Sequence, residues 1–196
     1  MITTPLLSNA LTLSAPHWVL NTSNAGKLAE FKKLFAEQGI ELSATQIDLS
    51  EIKSDPMSVV VHKASQLESV TLVEDSSLEI DGLNVGVDVR WFTNETMAEY
   101  AGKRAVWTVL LGYAQDGMVT VFEGKVFGTI VAPRGNGGFG FDPIFLPDGS
   151  DKTLSEEKHN CVNARAHAVK AFAENRPVAK VPVISHWDGP WQNHTR

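Results

Sequence analysis

The chain has 196 residues, of which 43% are hydrophobic and 20% charged, a composition typical of a soluble globular protein with one sizeable core. Its net charge of −6 disfavours a broad nucleic-acid-binding surface, although a local group of lysines can still attract a small anion. Because it has no long apolar run and only one cysteine, Cys161, we expect a cytoplasmic protein with no membrane span, no nucleic-acid partner and no internal disulfide.

The first 75 residues alternate between strand and helix patterns, which is typical of an α/β sheet. Each predicted helix has a start signal, the polar cluster 22–24 for the first and Asp55-Pro56 for the second. Apolar residues at helical spacing then mark the buried face of each helix. The predicted elements are a strand at 17–21, a helix that carries 28–35 and stops at Gly39, a strand at 40–49, a helix with its stripe at 57–67, and a short buried strand at 69–73.

The second half of the chain has a less regular pattern. It predicts a helix over 93–113, a β-rich segment over 118–133, a flexible loop over 134–140 and a helix over 155–175. Within the β-rich segment, Gly124 and Gly128 indicate bends or bulges. Residues 1–16 lack the positive charge of a secretory signal and indicate an extra strand or tail. Residues 176–196 have no periodicity and indicate a tail that wraps the surface, so we expect a single domain with two variable tails.

Polar clusters follow three predicted strands, at 22–27 (TSNAGK), 48–51 (DLSE) and 74–77 (EDSS). In an open α/β sheet, ligands bind outside the carboxyl ends of the strands, so these clusters are expected to meet. Together they supply carboxylates, a lysine and a helix start, which are the groups that a metal–phosphate site requires. The residues that supply them are Asn24, Lys27, Glu51, Glu74 and Asp75.

Each cluster also has a purely structural interpretation. TSNAGK can be only a capped helix start, and it lacks the spacing of a P-loop. Lys27 and Lys63 can be solvated helix residues, and Glu51 can be a loop acid. Glu74 and Asp75 are harder to explain in this way, because adjacent carboxylates repel each other and these two directly follow a buried strand.

The stretch 137–143 (GGFGFDP) is the other candidate binding element. Its glycines allow the backbone to approach a ligand, and Phe141 can stack on a planar ring. Alternatively, Phe139 and Phe141 anchor the loop to the core. His167 shares a helical face with Asn163 in the predicted C-terminal helix, and it too can be either functional or structural.

Taken in order, several segments resemble the inosine triphosphate pyrophosphatase family, which hydrolyses non-canonical purine nucleoside triphosphates. The resemblance implies a two-lobed α/β fold with a long curved mixed β-sheet flanked by helices, a cleft between the lobes, and a homodimer. It also implies Mg²⁺-dependent cleavage of a nucleoside triphosphate between the α- and β-phosphates, which yields a nucleoside monophosphate and pyrophosphate. The matching segments are 22–31, 47–51, 60–64, 73–84, 128–135, 138–153 and Asn163 with His167.

The same resemblance implies a role for each matching residue. Asp75 would activate water or hold the metal, Glu74 is the neighbouring catalytic acid, and Glu51 would be a metal ligand. The phosphate-binding residues would be Thr22, Asn24, Lys27, Lys63 and Arg90. The base-binding residues would be Gly140, Phe141, Asp142 and His167.

The base-binding half departs from the family pattern. A Ser-His-Arg motif reads Ala166-His167-Ala168, and a lysine before the asparagine reads Val162. Loss of such donors removes discrimination between bases. Arg165 and Lys158 lie nearby in sequence and are candidates to replace these donors, but a helix turns about 100° per residue, which points Arg165 away from the neighbouring positions. The alternatives are therefore the same reaction on a pyrimidine or modified purine, and a non-catalytic nucleotide-binding or sensing protein.

Overall fold

The protein has a mixed α/β fold, as the sequence predicts, with helices on both faces of one long sheet. The computed structural model describes residues 16–67 and 71–192, so the predicted N-terminal tail lies almost entirely outside the described residues. The described helices are α1 (Ala25–Glu37), α2 (Pro56–Ser65), α3 (Asn94–Ala98) and α4 (Ala164–Ala173). The described strands are β1 (His17–Asn21), β2 (Glu41–Thr45), β3 (Thr71–Ile80), β4 (Leu83–Gly86), β5 (Arg104–Gln115), β6 (Met118–Ile130), β7 (Phe145–Pro147) and β8 (Ala179–Pro182).

The eight described strands form one mixed sheet in the order β2-β1-β3-β5-β6-β7, with β4 added to β3 and β8 added to β6. β1 is parallel to β2 and β3, and the remaining pairs are antiparallel. None of the helices in the described ranges is long and apolar enough to cross a membrane. The predicted long mixed sheet with flanking helices is therefore confirmed.

Side-chain alternation along β3 divides the core into two layers. Leu72 and Leu78 pack with residues of α1 and α4 on one face of the sheet. Val73 points to the other face and packs against α2. Both faces are covered, which is why the inner strands carry nearly continuous apolar runs.

The predicted helix over 93–113 is wrong, because the second half of that stretch is strand. Only α3 is helical, and Gly102 has φ +88° in the turn that precedes β5. β5 is a central strand buried on both faces, so its apolar residues do not alternate with polar ones. A strand of this kind has no period of two by which sequence alone can distinguish it from a buried helix.

The helix predicted over 155–175 begins later, at Ala164. Asn163 caps it, because its Oδ1 accepts hydrogen bonds from the backbone N–H of Arg165 (2.9 Å) and Ala166 (3.3 Å). The strand predicted over 40–49 is also shorter and ends at Thr45. The later start of α4 moves Arg165 from the middle of the predicted helix to the first turn of the observed one.

Gly124 does not introduce a bulge into β6, which pairs with β5 without a register shift from Met118 to Thr129. A Cβ on Gly124 would overlap the backbone oxygen of Ala164. The glycine therefore allows α4 to lie directly on the sheet. The segment predicted as a C-terminal tail also joins the sheet, because β8 pairs with β6.

Candidate active site

The predicted polar clusters meet in one cavity of about 700 Å³ at the carboxyl end of β1. Leu20 of β1 pairs with Leu72 of β3, and β1 ends one residue later, whereas β3 continues to Ile80. Glu74 and Asp75 therefore lie inside β3 but beyond the end of β1. The prediction that they follow a strand ending at 73 is wrong, and the open space beside them comes from the shorter neighbouring strand.

Because Glu74 and Asp75 are consecutive in a strand, their carboxylates lie on opposite faces of the sheet. Glu74 faces α1, where Lys27 Nζ donates to its Oε1 at 2.8 Å. Asp75 faces α2, where Lys63 Nζ lies 3.9 Å from its Oδ1. The strand thus separates two like charges and gives each one a lysine.

Lys63 is the centre of the charged cluster on the α2 side. Its Nζ donates to the backbone oxygen of Glu74 at 2.6 Å and lies 3.5 Å from Glu51 Oε1. The other oxygen of Glu51 accepts from Arg90 Nη2 at 2.8 Å. Glu51 and Asp75 consequently face the same ammonium group, although they are far apart in sequence.

Burial and charge act in opposite directions on these groups. Burial raises the pKa of Asp75 to about 7, because Lys63 offsets the desolvation only in part and Glu74 adds repulsion. Burial also acts to raise the pKa of Glu74, but Lys27, Lys63 and Arg165 more than compensate and hold it below its ordinary value. For Lys63, burial acts to lower the pKa, and the surrounding carboxylates hold it above its ordinary value.

The start of α1 supplies uncharged polar groups to the edge of the cavity that we expect to bind phosphate. Asn24 caps the helix, with its Oδ1 accepting from the backbone N–H of Lys27 at 3.0 Å. Thr22 Oγ1 in turn accepts from the backbone N–H of Asn24 at 3.2 Å. All three residues line the cavity. A helix N-terminus favours anions, so this edge suits a phosphate group.

The carboxylates fit a divalent cation that also takes ligands from a substrate. Among residues 16–67 and 71–192, no three Asp, Glu, His or Cys side chains form a metal site by themselves. However, Glu74 Oε2 and Asp75 Oδ2 are buried without a hydrogen-bond partner. Mg²⁺ commonly takes one or two protein carboxylates together with water and phosphate oxygens, and Glu51 and Asp75 provide that number.

The structure places Phe141 in the core. It is 9% exposed and contacts Trp107 and Phe145, with ring centroids 5.9 and 6.1 Å away. Phe139 is less buried and also lines the cavity. Of the two roles that the sequence leaves open for these aromatic residues, anchoring therefore suits Phe141, whereas Phe139 is better placed to contact a ligand.

Asp142 is a buried residue that fixes the conformation of the same loop. It is 3% exposed, and its Oδ2 accepts from the backbone N–H of Phe139 at 3.1 Å and lies 2.7 Å from Lys158 Nζ. Gly138 has φ +68°, and a Cβ there would overlap the Asp142 carboxylate. Gly140 is held through its backbone oxygen, which accepts from Asn94 Nδ2 at 2.9 Å.

Phe141→Ala is expected to destabilise the fold rather than to weaken ligand binding selectively. Removal of a buried phenylalanine costs about 3–5 kcal/mol of unfolding free energy. Phe139→Ala should cost much less stability and should raise the Kd for a nucleotide. Urea unfolding and calorimetric binding of both variants check this, and a Phe141→Ala protein as stable as wild type would contradict it.

His167 does not line the cavity, contrary to the role that the resemblance implies. Its ring nitrogens lie 3.0 and 3.2 Å from the backbone oxygens of Cys161 and Lys125. It therefore connects α4 to the preceding turn and to β6. The structural alternative for this histidine is the one that its contacts support.

Arg165 is the cavity residue that the sequence interpretation set aside. It is 3% exposed, and its guanidinium lies between the rings of Phe139 (4.9 Å) and Trp107 (5.1 Å). Its Nη1 and Nη2 approach Glu30 and Ser76 at 3.4 and 3.5 Å, and its buried Nε has no partner. The cue in the sequence was Asn163, because an N-cap there puts Arg165 in the first helical turn.

Comparisons with known proteins agree with this architecture. The model of the Ham1 family matches residues 18–175. An inosine triphosphate pyrophosphatase from Yarrowia lipolytica is 34% identical over 170 residues, which cover 79% of this chain and 90% of the relative. A dITP/XTP pyrophosphatase from Thermococcus kodakarensis is 32% identical over 171 residues, covering 78% and 92%.

Solved structures show the same fold. A HAM1 protein from Coxiella burnetii superposes with a TM-score of 0.67 at 22% identity, covering 82% of this chain and 98% of that structure. A nucleoside-triphosphatase, or dITP/XTP pyrophosphatase, from Mycobacterium abscessus superposes with a TM-score of 0.53 at 25% identity, covering 81% and 98%. The family model and the relatives confirm the resemblance drawn from the sequence: this chain belongs to the Ham1 family.

Proposed function

We propose that this protein hydrolyses non-canonical purine nucleoside triphosphates to a nucleoside monophosphate and pyrophosphate, which removes such nucleotides from the cellular pool. The observation that carries the proposal is the convergence of three carboxylates and three cations on one cavity beside the start of α1. These residues are Glu51, Glu74, Asp75, Lys27, Lys63 and Arg90. The names of the matched relatives support the same chemistry.

The cations of the cavity are paired with carboxylates in a way that a substrate complex can replace. Lys27, Lys63 and Arg90 each contact an acid within 4.0 Å. A triphosphate brings negative charge for these cations, and a divalent cation bound with it compensates the acids. When the cations pair with the triphosphate and the acids pair with the divalent cation, every buried charge stays compensated. This compensation is the main energetic requirement at such a site.

We assign Glu51 and Asp75 as the ligands of a bound Mg²⁺. When present, the ion polarises the phosphoryl group that is attacked. Asp75 then orients a water molecule and accepts its proton. Glu74 holds Lys27 towards the phosphates.

On the aromatic side, Arg165 supplies the hydrogen-bond donor that Val162 and Ala168 lack. Its unpartnered Nε and its contact with Phe139 favour a base that carries an oxo acceptor. Asp142 contributes the neighbouring acceptor, and Lys158 holds that carboxylate in place. This arrangement favours inosine and xanthosine triphosphates over adenosine triphosphate, which presents an amino group at the same position.

Pyrophosphate release in the presence of Mg²⁺ should therefore be fastest with inosine and xanthosine triphosphates in a panel that includes the four standard nucleotides, uridine triphosphate and modified bases. We expect kcat/KM to favour inosine and xanthosine triphosphates over adenosine triphosphate by at least about a hundredfold, since a site built to hydrogen-bond a polar group strongly rejects analogues that lack it. Arg165→Met should reduce this preference. Lys170→Met, on the exposed side of α4, serves as the control and should leave the preference unchanged.

Two outcomes of the nucleotide panel would contradict the proposed preferential hydrolysis of inosine and xanthosine triphosphates. A clear preference for a pyrimidine or a modified purine would mean the same reaction with a different base pocket. Nucleotide binding without pyrophosphate release would support a sensing protein. The homodimer, the cytoplasmic location and the absence of a nucleic-acid partner stay predictions.

A further inference from the structure

The segment 183–192, which we call the strap, runs from the end of β8 to the cavity. Near its start, the backbone N–H of Ile184 donates to Ser65 Oγ at the end of α2. At its other end, Gln192 is 7% exposed and lines the cavity. The region that matches the family model ends at residue 175, so the strap lies outside that region.

The strap pairs with the loop that carries Glu51. The backbone N–H of Gln192 donates to the backbone oxygen of Glu51 at 2.9 Å. The backbone N–H of Lys53 donates to the backbone oxygen of Pro190, also at 2.9 Å. Between these two bonds, Ile52 and Trp191 form an antiparallel bridge. The strap therefore holds this loop, which lies between β2 and α2, as if it were a short strand.

The Gln192 side chain joins two groups of the charged cluster. Its Nε2 donates to the backbone oxygen of Ile52 at 3.0 Å, and its Oε1 accepts from Arg90 Nη2 at 3.4 Å. The same Nη2 donates to Glu51 Oε2 at 2.8 Å. One amide thus fixes both the backbone next to Glu51 and the guanidinium that orients its carboxylate.

The neighbouring tryptophan fixes the strap against α2. The Trp191 ring contacts the ring of His62 edge-to-face, with centroids 5.4 Å apart. His62 precedes Lys63, whose ammonium lies 3.5 Å from the other oxygen of Glu51. The strap, the loop and α2 consequently form one unit around Glu51.

We propose that Gln192 is a positioning residue that holds Glu51 and Arg90 in the geometry required for divalent cation and triphosphate binding. The inference rests on the function proposed above and adds a requirement for a segment outside the matched family region. Gln192 acts through Glu51 and Arg90. Groups that orient metal ligands commonly change metal affinity by about 10- to 100-fold when they are removed.

The test compares Gln192→Met, which preserves most of the buried volume but removes both amide hydrogen bonds, with Gln115→Met at an exposed end of β5. Binding of Mn²⁺, followed by electron paramagnetic resonance without nucleotide, reports on Glu51 directly. Steady-state kinetics with inosine triphosphate gives KM, which rises if Arg90 is no longer positioned to bind the triphosphate. Hydrogen exchange of the Lys53 amide shows whether the strap remains in place.

We expect Gln192→Met to bind Mn²⁺ about tenfold more weakly and to raise KM about tenfold, while kcat changes less than about threefold and the Lys53 amide stays protected. Gln115→Met should match wild type. Unchanged Mn²⁺ affinity in a wild-type protein that binds the ion would overturn the inference. If wild type binds no Mn²⁺ without nucleotide, the ion depends on phosphate ligands, and an unchanged KM then overturns the role of Gln192. Absence of pyrophosphate release by wild type would instead contradict the proposed function.

Discussion

Asp75→Asn is expected to reduce kcat for pyrophosphate release by about a thousandfold while nucleotide binding is largely retained. The substitution preserves the size of the side chain but removes the carboxylate that accepts a proton, and such groups typically contribute about 10²–10⁴-fold. Lys27, Lys63 and Arg90 remain to bind the triphosphate. Stopped-flow or coupled-assay turnover, together with calorimetric binding, measures the two effects separately.

The same variant should be more stable than wild type at pH 8 when divalent cations are removed with a chelator. The pKa of Asp75 is about 7 in the folded protein and 3.8 as an ordinary value, so folding favours its protonated form. The stability that this group contributes is therefore present below about pH 4 and is lost as the pH rises to about 7. Asparagine does not titrate, so the variant escapes that loss.

Thermal unfolding at pH 5 and pH 8 checks the sign of this effect. The advantage of Asp75→Asn should amount to a few kcal/mol at pH 8, be smaller at pH 5, and shrink when Mg²⁺ is restored. Asp148→Asn is a suitable control, because Asp148 is exposed and its partner Arg104 lies on the surface. Full activity of Asp75→Asn would remove Asp75 from the mechanism.

Lys63→Met is expected to cost about 3–5 kcal/mol of unfolding free energy at pH 8 without divalent cations, since removal of one partner from a buried ion cluster leaves the others uncompensated. Here the groups left are Glu51, Asp75 and the backbone oxygen of Glu74. The side chain of methionine has a similar length, so the loss would report on charge rather than on volume.

The pH and metal dependence distinguish this electrostatic cause from a packing defect. The pKa of Lys63 is raised, so its charge is present throughout the range in which the carboxylates titrate. The deficit of the variant should decrease as the pH falls and the carboxylates become protonated, and Mg²⁺ should restore more stability to the variant than to wild type. Urea unfolding with and without Mg²⁺ gives both values, with Lys170→Met as the exposed control. A deficit that neither acid nor Mg²⁺ reduces would contradict the charge argument.

Features that depend on a short stretch of chain could be predicted from the sequence. Asn24, a member of the predicted cap cluster 22–24, and Asp55 cap α1 and α2, because an N-cap depends on residues within one turn. Two of the three polar clusters follow the parallel strands β1 and β2, whose carboxyl ends lie together, and the third lies where β3 passes the end of β1. The order of the motifs also sufficed for the family.

Other features depended on how far an element extends. Glu74 and Asp75 face opposite sides of the sheet because β3 continues through both residues, and the end of a buried strand leaves no clear mark in an apolar run. Arg165 enters the cavity because α4 begins at Ala164, well after the start that the pattern suggested. The choice between Phe139 and Phe141 depended on which ring Trp107 covers.

By itself, then, the sequence determined the α/β class, the starts of α1 and α2, the family and the set of acids and lysines at the phosphate side. The tertiary structure alone decided which groups are partners: Lys63 with both Glu51 and Asp75, and Gln192 with a loop 140 positions away in sequence. The physical reason is the distance along the sequence over which each interaction acts. Capping and periodicity act over a few residues, whereas the compensation of buried charge depends on contacts that form only when distant segments pack together.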